Sequence, residues 1–314
     1  MPLTPYKKPW LSHADLVQQL IERGLVVSNP AAAAQYLAHV NYYRLSGYCL
    51  AFEIPNQRHR FTLGTTFEQL RAAYDFDFAI RDLASEALEI LEIDIRTTVA
   101  HHLGETYGAF GHADLVNFYR RPQIRSHDTR QTFDHVAWIT RLRESVNHSK
   151  EPFVEHFRRS YTQATNGDLP IWALSEVMSF GSVSRMIDGM ISSDQRTIAS
   201  RYGLQNRNLV SWIHHLSVAR NVCAHHGRLW DRLWTSPAEI PAGNAWRPPY
   251  LMDNQRITMT LLILYHMLKR IPDAADWAAY WQVRLRKKLA LLPESAVTPR
   301  LGFTDGWFAN PVWC

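Results

Sequence analysis

Between Thr66 and Leu103 the apolar residues Leu70, Ala73, Phe76, Ile80, Leu83, Ala87, Leu91, Ile95 and Val99 recur at intervals of three and four without a break. A strand alternates with period two, so a run of this length is readable only as an amphipathic helix with one face in a core. Thr66 followed by Gln69 forms a capping box at its start, and Gly104 is expected to end it. The spacing therefore predicts one long helix over about 66–103. Its other face carries Asp75, Asp77, Arg81, Asp82, Glu86, Glu89, Glu92, Asp94 and Arg96, read as a solvated or ion-paired surface rather than as paired acid and base catalysts.

The rest of the chain keeps the same period. Ser12 precedes Leu16, Val17, Leu20 and Ile21 at helical spacing, and Gly24 closes the run, a cap at each end of a first helix. Asn29-Pro30 starts a second helix with proline at its first position. Asn41 to Tyr48 crowds three tyrosines around Arg44 before a loop, Glu53 to Arg60, and Phe61-Thr62-Leu63 is expected as a short strand. Further helices are predicted over about 128–147, 152–161, 170–190, 193–202, 206–224, 254–270 and 274–290. Leu229 to Tyr250, with Pro237, Pro241, Pro248 and Pro249, reads as a long loop. The tail after Pro293 is expected to be irregular yet too aromatic for plain linker. Glycine and proline, 14 and 16 of 314 residues, fall slightly below average usage, about 10% against roughly 12%, which leans the same way. The fold class is all-α.

Composition excludes several kinds of protein. No stretch of about 18 uninterrupted apolar residues occurs; the best run, Ile257 to Leu268, is short and holds His266, so no membrane association is expected. Lys7 and Lys8 have no apolar run behind them and do not open a signal peptide. Cys49, Cys223 and Cys314 are odd in number and far apart, so neither a disulfide framework nor a paired-cysteine metal site is built from them, and a reducing, cytoplasmic location is the default. Lys plus Arg exceeds Asp plus Glu, 34 to 29, a mildly basic balance that permits a polyanionic partner without demanding one. Gly104, Gly108 and Gly111 match no phosphate-loop or dinucleotide spacing. The pairs His101-His102, His214-His215 and His225-His226 suggest no metal site, because neighbours on a helix point about 100° apart. No cofactor and no metal ligand are expected.

The chemistry concentrates in the helix expected over 206–224 and in the residues from His225 to Arg232. On a wheel centred on Arg220, with about 100° per residue, Leu209, Trp212, Ile213, Leu216, Ala219 and Cys223 fall in one apolar arc. Ser217, Asn221, His214 and His225 form a polar strip on the neighbouring flank. Arg220 sits at the seam. An always-charged guanidinium there needs an anion, either an acid of the long helix or a bound phosphate. Trp212 lies inside the apolar arc and reads as core rather than as a platform for stacked bases.

Arg220-Asn221-Val222-Cys223-Ala224-His225 resembles the arginine-to-histidine signature of HEPN ribonuclease domains. The wider run to Arg232 resembles the Abi (abortive infection) family of bacterial phage-defence proteins. Four more blocks are similar to segments of that group: Asn41 to Tyr48; Tyr74 to Asp77 with Arg81; Glu89 to Thr97; and Trp172 to Gly181. The resemblance runs from about Lys7 to Lys269. It implies one Abi-like helical domain over 1–314, with N-terminal helices and a loop to about 64, a HEPN-like bundle over about 66–270, and a C-terminal helix and tail over about 271–314. It further implies a homodimer whose paired Arg220 and His225 face one RNA phosphate, and metal-independent cleavage by the adjacent 2′-OH. In that chemistry a histidine trades a proton near neutral pH, the Arg220 fork meets the developing phosphorane charge, and Asn221 holds the imidazole or substrate. RNA is expected to approach over His226, Arg228, Arg232 and the proline-rich loop after Leu229, with the aromatic Trp230 between the charges, unless those arginines brace the loop through acids such as Asp231 or Glu239. A non-catalytic RNA- or partner-binding module on the same scaffold is the alternative. The RNA target, the phage trigger and any restraining regulatory RNA or antitoxin are left open.

Overall fold

The computed structural model describes Pro5 and residues 8–118, 133–291, 300–304 and 307–314, with Thr165 and Phe308 by backbone only. Among these residues it holds twelve α-helices, joined by short 3-10 turns, and no strand; extended pairing is confined to three isolated bridges. The all-α expectation is met. The chain divides into two compact units, Met1–Ile80 and Arg81–Cys314, and the division falls within the long helix.

In the first unit, α1 (His13–Glu22) starts at Ser12, whose hydroxyl accepts the Asp15 amide while the Asp15 carboxylate accepts the Ser12 amide. It ends ahead of Gly24, whose φ of +92° is the left-handed conformation that a Cβ disfavours. The second helix, α2 (Pro30–His39), is capped by Asn29. Asn41 accepts the Tyr43 amide and starts α3 (Tyr42–Cys49), so the tyrosine-rich segment is itself a helix. Val17, Leu20, Leu37, Leu45, Phe61 and Leu70 form the core of this unit. The strand expected at Phe61-Thr62-Leu63 does not form: Phe61 makes one isolated bridge with Glu53. The bridge is made by the Ile54 and Thr62 amides, the Phe61 amide points the other way to the Arg23 carbonyl at 2.9 Å, and pairing ends where residues 50–52 turn into a 3-10 helix.

The long helix, α4 (Phe67–Tyr107), has the expected capping box: the Thr66 amide donates to the Gln69 side chain and the Gln69 amide to the Thr66 hydroxyl. It continues through Gly104 and stops before Gly108, at φ +76°. Gly104 has no positive φ and faces the Trp172 ring, where a Cβ would stand in ordinary contact at 3.4 Å, so nothing at this position ends the helix.

The second unit continues with α5 (His135–His148), α6 (Pro152–Ser160), α7 (Ile171–Val177), α8 (Phe180–Gly189), α9 (Ser192–Arg201), α10 (Asn206–Ala224), α11 (Ile257–Leu268) and α12 (Ala275–Leu289). Residues 128–132 of the helix expected over 128–147 lie outside the described residues, and α5 is capped by Asp134. The single helix expected over 170–190 is two. At Met178 the backbone is extended, and Ser179 caps α8 by accepting the Ser182 amide. The carbonyls released at the break, Ser175 and Met178, both accept from the Arg96 guanidinium, and a cation at a helix C-terminus is favourable in its own right. The tail is not loose: Trp313 packs on Tyr265 and Lys269 donates to the Val312 carbonyl.

The apolar stripe of α11 widens until every residue but His266 is buried, as expected of a helix enclosed on all sides. It packs against α10 and α12, and no helix among the described residues is long and apolar enough to cross a membrane. The polar face of α4 is largely consumed by neighbouring helices. Glu86 holds Arg284 of α12 at 2.8 Å, and Asp94 accepts both Arg201 and the Tyr202 hydroxyl. The ion-paired reading of that face is correct.

Three histidines are enclosed in the neutral form. His215 lies between the Ser236 carbonyl and the Thr260 hydroxyl, and burial pushes it down to about 4. Burial likewise lowers His112 to about 4 and His266 to about 3. In the unfolded chain each titrates near 6.5, so below that pH the unfolded state binds protons that the folded state refuses. Stability is full above about pH 6.5 and falls as the pH drops toward 4, by up to about 1.4 kcal/mol per pH unit for each histidine. Denaturant midpoints measured from pH 7.5 to 5 should decline steeply; a flat profile would show that these imidazoles are not held neutral.

Candidate functional site

The last turn of α10 ends in a Schellman motif. The His226 amide donates to the Cys223 carbonyl at 3.0 Å and the Gly227 amide to the Val222 carbonyl at 2.7 Å, with His226 in the left-handed region at φ +54°. Gly227 folds back so tightly that a Cβ would meet Val222 Cγ1 at 2.8 Å. Its carbonyl accepts from the buried Arg81 of α4 at 3.3 Å. The segment after the helix is therefore a fixed turn, and it delivers Arg220, Asn221, His225 and His226 to one exposed helix end.

Arg220 is less enclosed than its place on the wheel suggests. Its side chain keeps 45% of its surface, and its Nε donates to Glu92 Oε2 at 3.1 Å, a carboxylate only 10% exposed. The other oxygen of Glu92 accepts from Arg96, the guanidinium that holds the α7 carbonyls. Two arginines thus share one carboxylate, and Glu89 and Glu176 also line the groove beside them. Because Glu92 engages only Nε, both terminal nitrogens of Arg220 lack a protein partner among the described residues. They face an open groove of about 450 Å³ lined also by Leu88, Glu89, Ile93, Glu176 and Ala224. A guanidinium pinned through Nε and open at its two-pronged end is oriented for a planar pair of oxygens.

The imidazole of His225, at the C-cap, makes no hydrogen bond or ion pair among the described residues, and the Asn221 side chain is equally unengaged; both are exposed. Ser217, expected beside them on the polar strip, is instead buried and donates to the His214 carbonyl. Trp212 is core, as expected, with its indole N–H on the Glu239 carbonyl.

The loop residues are arranged otherwise than expected. Trp230 is 1% exposed and unavailable to stack on a base, because the turn after Gly227 directs it inward beside the buried Leu229. Arg232 curls back so that its Nε donates to the Arg228 carbonyl at 2.7 Å, and it covers the Trp234 ring. Asp231 does brace the loop, but through Arg256 and Arg300, each at 2.8 Å, and Glu239 faces Arg207. Arg228 and Arg232 are half-buried; His226 stays exposed.

The expected pairing of Arg220 with an acid of the long helix is met at Glu92; sequence reasoning did not say which acid, nor that Arg96 shares it. The spacing of four between Glu92 and Arg96 marks a helical ion pair, but nothing local links that pair to Arg220, 128 residues away. Among the described residues no three His, Cys, Asp or Glu side chains form a group that would hold a metal ion.

A family model described as Abi-like protein matches residues 35–231, more than half of the chain, from within α2 through the α10 signature to Asp231. No curated protein and no solved structure gives a significant match.

Proposed function

The chain belongs to the Abi-like protein family, and from that premise we propose that it is a cytoplasmic phage-defence endoribonuclease of HEPN type, with Arg220, Asn221 and His225 at its centre. The observation that carries the reading is the Arg220 guanidinium, fixed through Nε by Glu92 and open at both terminal nitrogens, at the same helix end as the exposed, unengaged imidazole of His225, which does not itself line the groove. In the proposed reaction the 2′-OH of the RNA attacks the adjacent phosphorus. The bond from 2′-O to phosphorus forms, the bond from phosphorus to 5′-O breaks, and the 2′ proton ends on the departing 5′ oxygen. The products are a 2′,3′-cyclic phosphate and a 5′-OH. The terminal nitrogens of Arg220 bind the non-bridging oxygens as their charge grows; His225 takes or gives the proton; Asn221 holds ribose or imidazole by its amide. In an in-line displacement the attacking and leaving oxygens lie on opposite sides of phosphorus, so a second copy, with its own histidine, is proposed to serve the side that His225 does not reach. The two copies are proposed to meet at the exposed C-terminal end of α10, since most residues from Asn208 to Ala219 are buried within the chain.

The second reading, a binding module without catalysis, draws on the same ion pair, since Glu92 alone already neutralises part of the Arg220 charge. The test is incubation with mixed RNA in EDTA followed by end-group analysis. Fragments with 5′-OH and 2′,3′-cyclic ends support the enzyme; binding without cleavage supports the module.

His226, Arg228 and Arg232 are proposed to guide the RNA backbone toward Arg220. Phosphate contacts of this kind are independent of sequence and salt-sensitive. The variant Arg228→Ala with Arg232→Ala should weaken binding to all RNAs and flatten the salt slope by up to about two units. Since Arg232 also ties down the Arg228 carbonyl, thermal stability is measured alongside. An unchanged slope with a lower unfolding temperature would leave these arginines as loop braces alone.

A further inference from the structure

The first unit contains a cleft of about 1220 Å³ that the proposed reaction does not use. Arg23, at the end of α1, lines it half-buried. Its guanidinium makes one hydrogen bond among the described residues, from Nη1 to the Tyr42 hydroxyl at 2.7 Å, and that hydroxyl donates onward to Gln19 at 3.4 Å. The guanidinium is thereby oriented but not neutralised, for it has no carboxylate partner among the described residues. Lys8 adds a second cation to the lining. The acid in the cleft, Glu53, is turned toward His59 with only 11% of its side chain exposed. On the rim stand the rings of Trp10 and Tyr43, each 87% exposed. A half-enclosed cation without a counterion is costly unless an anion arrives, and exposed rings beside cations are the elements that take up unpaired bases.

We propose that this cleft binds a single strand of nucleic acid, with phosphates at Arg23 and Lys8 and bases stacked on Trp10 and Tyr43. Volume favours a strand over one free nucleotide: small-molecule pockets run to about 1,000 Å³, and this cleft exceeds that while standing open. A duplex is excluded by the same chemistry, because paired bases keep their faces inside the stack. The site stands apart from the cleavage reading, since it needs neither Arg220 nor His225.

The test is anisotropy of the full chain with a short fluorescein-labelled 2′-O-methyl oligonucleotide, whose blocked 2′ oxygen cannot be cleaved. Trp10→Ala and Tyr43→Ala remove almost no packing and should each weaken binding about tenfold. Arg23→Gln should weaken it further and reduce the salt dependence. His225→Ala should leave affinity unchanged, which separates this cleft from the proposed catalytic site. Unchanged affinity in both ring variants would overturn the proposal. So would equal affinity for a matched duplex or for a mononucleotide, or loss of binding in His225→Ala alone.

Discussion

Replacing His225 by alanine is expected to slow RNA cleavage in EDTA by about 10²–10⁴-fold, the share that a positioned acid or base supplies. The imidazole sits at an exposed helix end and makes no side-chain bond among the described residues, so its removal should leave unfolding temperature and assembly unaltered. The rate loss then belongs to chemistry. Light scattering on the same samples should find the active species dimeric, because a second histidine must take the opposite proton role. Cleavage by a monomer would remove the second copy from the mechanism, and full activity in His225→Ala would remove the histidine.

The second large effect separates geometry from charge at Arg220. Arg220→Lys keeps a cation within reach of Glu92 and should fold normally. One ammonium cannot meet Glu92 and also present two parallel donors to a phosphate, so cleavage should fall by about 10²–10³-fold, as when an oxyanion donor is lost. Glu92→Gln behaves differently. It leaves Arg96 and Arg220 beside a neutral amide in a site where the carboxylate is 10% exposed. Breaking a fully buried pair costs about 3–5 kcal/mol; with Arg220 nearly half exposed, the loss should be about 2–3 kcal/mol, read from denaturant midpoints. Activity falls with it, because Arg220 loses its anchor. Near-wild-type cleavage by Arg220→Lys would contradict the role given to the fork, and unchanged stability in Glu92→Gln would show that the pair is ornamental.

Much of the scaffold was legible because helix signals are local. The limits of α10, the caps at Ser12 and Asn29 and the capping box at Thr66 all depend on residues within four positions of one another. The arginine and histidine of the candidate site lie within a single turn and a half, so the spacing alone places them at one helix end.

Other features depended on partners far along the chain. The helix expected over 170–190 breaks at Met178, where Arg96, some 80 residues earlier, donates to the freed carbonyls. The long helix runs through Gly104 and stops before Gly108, because it is Gly108 that takes the positive φ of a helix end. Phe61 makes no strand because its partner segment turns into a 3-10 helix at residues 50–52. Trp230 reads as an aromatic between arginines and is core. Sequence by itself determined the all-helical class, most helix limits and the candidate residues, since hydrophobic period and capping are short-range. Tertiary structure alone decided that Arg220 is held through Nε by Glu92 and open at its other end, because a buried charge takes whichever counterion packing brings to it.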